Sequence, residues 1–303
     1  MIEHQVHEQI DKAAWDARCN ACPQAAWYGL KATLDAASPG WNALVDTDTG
    51  EQMPLTWKRK WGIQYLHQPF MVQHAGPWSP KPSLKMVERF LLAIPGFYKY
   101  ADICLDAPGL PTVPGFRMEQ RRNHVLRLGR PLAEVRAGYS ANHRRSLRKA
   151  EKFGVLPVPA GAGEVLHFLE SSERYKEWGV TGEQRACMRR LLASSVADGT
   201  GVGRVVKHGG ATVAAAWFVR SLGTVTFLKG VAGREGRELC ALHALIDGMV
   251  AESAGELQQL DLAGGQGDDL ARFYSGFGGE ARLYLRALMN RLPPLVRRLK
   301  ARA

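Results

Sequence analysis

The stretch that most limits how this chain can fold is residues 257–288, LQQLDLAGGQGDDLARFYSGFGGEARLYLRAL. A strand pattern from Leu257 to Leu262 runs into a small-residue turn at 263–267, where the backbone can bend tightly or approach a ligand. Asp268 and Asp269 suit the first turn of a helix, whose unpaired N–H groups attract carboxylates. Leu270, Phe273, Tyr274 and Phe277 recur at i, i+3, i+4 and i+7, one apolar helical face. Gly278 and Gly279 end that helix, and the alternating run Glu280 to Leu288 predicts another strand.

Upstream, the second half of the chain continues the α/β pattern. Val155 to Pro159 predicts a short strand, and Glu164 to Lys176 a helix with Val165, Phe168, Leu169 and Tyr175 as its apolar set. Thr181 caps a second helix. Strands follow at 202–207, 212–219 and 224–231. An amphipathic helix bearing Leu239, Leu242, Leu245, Ile246 and Met249 then leads back to Leu257. The order is β–αα–βββ–α–β–α–β. The first half reads αα–βββ–α–β–β: a helix face of Ile10, Ala13, Ala14 and Ala17, a helix from Ala25 to Ala36, and a hairpin of 41–46 with 52–61. Strands at 63–72, 98–105 and 117–128 and a Ser83-capped helix complete it. With 303 residues and roughly 150 per domain, two domains are expected, 1–130 and 131–303.

The order of elements, together with F-Y-x-x-F-G on the last helix, resembles the end of a GNAT-type acyltransferase domain, and more closely its Fem-like branch. A second stretch, Ser140 to Val155, carries the resemblance further. It keeps Arg144, Leu147, Arg148, Lys149, Ala150, Lys152, Gly154 and Val155 of the segment that introduces the second domain in Fem-like proteins. The resemblance implies an α/β fold of two tandem GNAT-like (acyl-CoA N-acyltransferase) domains and transfer of an acyl group, acetyl by default, from acyl-CoA to an amine. It makes Tyr274, four residues before Gly278, the general acid toward the leaving thiolate. Gly267, Leu270 and Gly279 depart from the residues the family usually has there.

The remaining candidates follow from that frame. Gly233, Arg234, Gly236 and Arg237 stand where the family holds the pyrophosphate of acyl-CoA, at the start of a helix whose N–H groups and dipole favour anions. The spacing is degenerate, Glu235 and Glu238 would repel a phosphate, and a plain glycine turn fits as well. Asp261 suits a general base for the acceptor amine, or a buried carboxylate holding the turn after it. Arg148 and Lys149, on the basic face with Arg145 and Lys152, suit a phosphate-bearing substrate or a solvated helix face. Trp57, Trp61, Tyr65, His67, His74 and Trp78 can line a pocket or pack a sheet, and Arg121 and Arg122 can meet a phosphate or end a strand in solvent.

A net charge of +11 implies attraction to polyanions, so tRNA or another polyanion joins the small-molecule donor and amine acceptor as a possible partner. Peptidoglycan enzymes of the Fem type insert a long helical hairpin for tRNA, and no stretch here has room for one; acyl-CoA is therefore the expected co-substrate, with no permanently bound cofactor. Two alternatives stay open: an aminoacyl-tRNA-dependent transferase, and a non-catalytic family member that binds RNA or another polyanion. No apolar run reaches the roughly 18 residues of a membrane span, so a cytoplasmic location is expected. The tail 292–300 could touch a membrane surface or dock as a helix. Nine scattered histidines lack an H-x-x-x-H frame, and Cys19-x-x-Cys22 has no second pair, so no metal is expected.

Overall fold

The computed structural model describes residues 1–294 and 297. The chain divides into two compact units, one of 1–121 with 283–303, the other of 122–282.

In the first unit, β1 (Ile2–Gln5), β2 (Asn42–Asp46) and β3 (Gln52–Leu55) form an antiparallel sheet in the order β1-β2-β3, with α1 (Lys12–Asn20) and α2 (Lys31–Ala37) between β1 and β2 in the chain. The polar strand β1 has no apolar alternation to announce it, and its place comes from pairing: Ile2 to Gln5 lie opposite Asp46 to Ala43. The hairpin expected to run from 52 to 61 breaks at Thr56, whose hydroxyl donates to the His67 carbonyl at 2.6 Å. The chain thereby leaves one sheet for another. β4 (Trp57–Lys60) turns back on β5 (Ile63–His67); then come α3 (Leu84–Leu92), β6 (Tyr98–Leu105) and β7 (Phe116–Arg127). Ser83 caps α3 by accepting from the Met86 N–H, a contact worth about 1 kcal/mol. The face of α1 that is buried carries Trp15 and Cys19, not Ala13 and Ala17, because the indole N–H reaches the Gly29 carbonyl at 2.8 Å. Trp57, Trp61 and Trp78 do not share a pocket: Trp61 is 75% exposed while Trp78 is fully buried.

The second unit opens with α4 (Leu132–Ala137) and α5 (Ala141–Lys152), the latter capped by Ser140, whose side chain accepts from the His143 N–H. β8 (Pro157–Ala160) is followed by α6 (Ala162–Ser171), α7 (Glu173–Glu177) and α8 (Gly182–Ala197). Ser172 divides α6 from α7 by capping the second, which splits the single helix expected there. A capping box of Thr181 and Gln184 starts α8. Then come β9 (Gly201–His208), β10 (Ala211–Ser221), β11 (Thr224–Ala232), α9 (Arg234–Glu238), α10 (Ala241–Ser253), β12 (Gln259–Asp261), α11 (Asp268–Ser275) and β13 (Glu280–Asn290). From its C-terminal half, β7 joins a mixed sheet in the order β7-β12-β11-β10-β9-β8. β13 ends in the first unit because Leu285 to Asn290 pair with Leu105 to Tyr100.

Strand alternation assigns the two faces of this sheet. Ala214, Ala216 and Phe218 of β10 belong to the core with Leu245, Ile246 and Met249 of α10 and Tyr274 and Phe277 beyond β12. Trp217 points the other way, and its indole N–H donates to Ser195 Oγ of α8 at 3.1 Å. Among the described residues no helix is long and apolar enough to cross a membrane, and no group of three or more His, Cys, Asp or Glu could hold a metal ion. Burial pushes the Cys19 thiol up to about 12 and the Cys22 thiol up to about 11, far from the thiolates that redox or metal chemistry needs. The tail 292–300 lies largely outside the described residues.

Candidate active site

β11 and β12 run parallel through only three residue pairs, Thr224 with Gln259, Val225 with Leu260 and Thr226 with Asp261. Beyond Thr226, β11 continues to Ala232 on its pairing with β10 alone, so its other edge keeps backbone groups without a strand beside them. On β10 the register steps from Trp217 opposite Lys229 to Phe218 opposite Phe227, leaving Leu228 as a bulge. A bulged strand parting from a parallel neighbour at its carboxyl end is a place where an open sheet takes ligands.

The residues at this parting are held tightly. Asp261 is buried; one carboxylate oxygen accepts from the Ala263 N–H at 2.7 Å and from Asn123 Nδ2 at 2.8 Å. Asn123 in turn accepts, through Oδ1, from the N–H groups of His124 and Gly264, each at 2.9 Å. His124 Nδ1 lies 3.1 Å from the Gly264 carbonyl. Gly265, at φ +114°, has no room for a side chain: a Cβ there would lie 2.2 Å from the His124 ring. Arg122 pairs with Asp268 at 3.2 Å, at the start of α11.

Tyr274 reaches this place from α11. Its ring stands edge-on to Phe227 at 6.5 Å and 5.9 Å from His124. The side chain is 5% exposed, and among the described residues its hydroxyl makes no hydrogen bond. Burial, reinforced by the charge of Asp261, holds its phenol well above the usual tyrosine range. Tyr274 therefore keeps its proton at neutral pH and can donate it.

Asp261 and Tyr274 are thus brought together, and the other sequence candidates lie elsewhere on the unit. Gly233 precedes the five-residue helix α9, whose first turn holds Glu235, 2.6 Å from His208. Arg237 folds back onto the Ala232 carbonyl at 3.1 Å, and Arg234 is exposed beside Glu238. Gly236 has a packing reason to be glycine, since a Cβ would lie 2.2 Å from the Val213 carbonyl oxygen. Gly236→Ala is expected to cost about 1–3 kcal/mol, read as a lower urea midpoint; an unshifted midpoint would leave ligand contact as its reason. Arg148 lines a groove of about 760 Å³ between α4, α5 and α10, with Arg136, Arg144 and Asp247. Arg136 grips Asp247 with two bonds of 3.0 and 2.6 Å, and Tyr139 donates to the same carboxylate. Lys149 is exposed outside that groove.

Asn123 and His124 had no signal in the sequence, because antiparallel pairing of β7 with β12 brings them in from far up the chain. A third group, Lys229 of β11, stands with its ammonium over the Trp178 ring at 3.6 Å.

Residues 137–271 match a family model described as an acetyltransferase (GNAT) domain. Over that stretch the chain is similar to GNAT-type acetyltransferases. FemX is similar over 93% of this chain and 96% of its own, with a TM-score of 0.68 and 12% identity. A tandem GNAT protein from the clavulanic acid biosynthesis pathway is similar over 95% of this chain and 98% of its own, at TM-score 0.53 and 14% identity. The C-terminal domain of a putative lysylphosphatidylglycerol synthetase from Agrobacterium fabrum covers 92% and 93%, at TM-score 0.54 and 11% identity. At these identities the likeness is one of fold, and that fold is the tandem GNAT-like arrangement. No curated protein matches the sequence.

Proposed function

We propose that this protein moves an acyl group, acetyl in the first instance, from acyl-CoA to an amine at the parting of β11 and β12. The observation that carries the reading is Tyr274: buried, protonated at neutral pH and without a protein partner for its hydroxyl among the described residues. The acceptor nitrogen adds to the thioester carbonyl, the new C–N bond forms as the C–S bond breaks, Tyr274 hands its proton to the leaving sulfur, and the proton shed by the nitrogen passes to water, from which the phenolate is reprotonated. Asp261 is committed through one oxygen to the turn that follows it, which favours a positioning role over a mobile base. The bulged edge of β11 would hold the donor beside Tyr274, while the start of α9, with Glu235 in its first turn, is a poor pyrophosphate cradle.

Length of helix supports acyl-CoA over aminoacyl-tRNA as donor: the 16-residue α8 is the longest among the described residues, with no long helical hairpin. The arginine-lined groove by Arg148 keeps the polyanion reading as the second one. Soluble acyl-CoA as donor goes with work in the cytoplasm.

Calorimetric titration with acetyl-CoA and, separately, with CoA tests the donor. Saturable binding at about micromolar affinity, near −8 kcal/mol, is expected. Binding of neither discards acyl-CoA and transfers the weight to aminoacyl-tRNA or to an RNA-binding member, which a gel-shift assay with tRNA then separates.

A further inference from the structure

Lys229 is a cation without a counter-charge among the described residues. It lies half-buried on β11, and within that set it makes no hydrogen bond and no ion pair. Its one partner there is the face of Trp178, 3.6 Å from the ammonium. Among the described residues no carboxylate offsets the cost of taking this charge out of water, and burial lowers the ammonium to about 8. A desolvated charge left unpaired is costly, so its position is understandable where a ligand supplies the opposite charge.

The bulge decides which side of the sheet Lys229 faces. Regular alternation would send Phe227 and Lys229 to the same side. With Leu228 bulged, Lys229 lies opposite Trp217 and Phe227 opposite Phe218, adjacent residues that point to opposite faces. Phe227 and Tyr274 therefore occupy one face at the parting of the strands, and Lys229 with Trp178 the other. A leaving group that meets Tyr274 on the first face leaves the second as the side from which an amine can add.

We infer that Lys229 and Trp178 form an anion subsite for the acceptor, so that the amine receiving the acyl group also carries a carboxylate or a phosphate. Lys229 pairs with the anionic oxygens, and the indole face of Trp178 supports the apolar or ring portion next to them. The word acceptor rests on the acyl-transfer reading; the anion subsite itself does not.

Trace labelling of the intact protein's amines with acetic anhydride, read by mass spectrometry across the alkaline range, tests the subsite without turnover. The probes are benzoate, phenyl phosphate and the neutral isostere benzamide. An anion on Lys229 raises its midpoint by about one pH unit, so labelling at fixed pH falls about tenfold, while exposed Lys149 is unchanged. Protection by benzoate alone assigns a carboxylate, by phenyl phosphate alone a phosphate, and by both a site for either. Protection by benzamide equal to that of the anions, or by none of the three, overturns the proposal. So does a Lys229 that never reacts, as a sealed core amine would not. Protection without acetyl-CoA binding in the calorimeter would keep the anion subsite and sink the acyl-transfer reading instead.

Discussion

Tyr274→Phe lowers turnover by about a hundredfold while leaving acetyl-CoA affinity within a factor of about two, the range expected when one positioned general acid is removed. The substitution is clean because the hydroxyl makes no hydrogen bond to the protein among the described residues, whereas the ring packs against Phe227 and His124. Phenylalanine keeps the ring and deletes the proton donor, so the urea midpoint should stay where it is. The measurement is steady-state kinetics beside calorimetry on parent and variant. A fall confined to kcat supports proton donation. Turnover equal to the parent's would show that the thiolate leaves unaided and would remove Tyr274 from the chemistry. A rise in the donor's Kd alone would make the tyrosine a binding residue.

The elements of the second unit could be read from the sequence because each carries its own local signal. Thr181 caps the helix it was expected to cap, and β9 to β11 are separated by glycine turns. Apart from the helix that Ser172 splits by a local cap, the misreadings share one cause, the choice of partner. Nothing in Ile2 to Gln5 says strand until Ala43 to Asp46 lie opposite, and nothing in 52–61 says that the strand changes sheets until Thr56 meets His67. The burial of α1 through Trp15 and Cys19 is likewise set by what stands against it.

The same division runs through the candidate site. Tyr274 and Asp261 belong to one continuous stretch, so pattern alone placed them near each other. Asn123 and His124 are joined to Asp261 and Gly264 only by the antiparallel pairing of β7 with β12. Lys229 carried no signal in the sequence, because strand alternation alone would set it on the same face as Phe227, and only the bulge at Leu228 turns it to the opposite one.

His243 is the residue through which acid should reach the fold of the second unit. Its ring lies 4.8 Å from that of His143 and 5.0 Å from Phe273, and His143 is itself 4% exposed and 4.5 Å from Phe277. Burial, with a smaller contribution from His143, lowers the His243 imidazole from 6.5 to about 4. Burial lowers His143 as well. Both groups fold as neutral rings, whereas the unfolded chain takes up their protons near 6.5. The stability they contribute is therefore complete above that value and is lost as pH falls toward the folded value. Between neutrality and pH about 4.5 the loss through His243 should be about 2 kcal/mol, after discounting for its partial exposure. Asp46 does not confuse this window: its burial opposes ionisation, but the N-terminal ammonium, the Asp48 N–H and Arg89 hold it down to about 2. Urea midpoints of the parent and of His243→Leu, followed by a probe of the second unit, decide the matter. The variant should lose less stability than the parent over that window, because its leucine has no proton to gain. Two curves that fall in parallel would mean that His243 titrates normally, and that its contact with His143 carries no acid sensitivity.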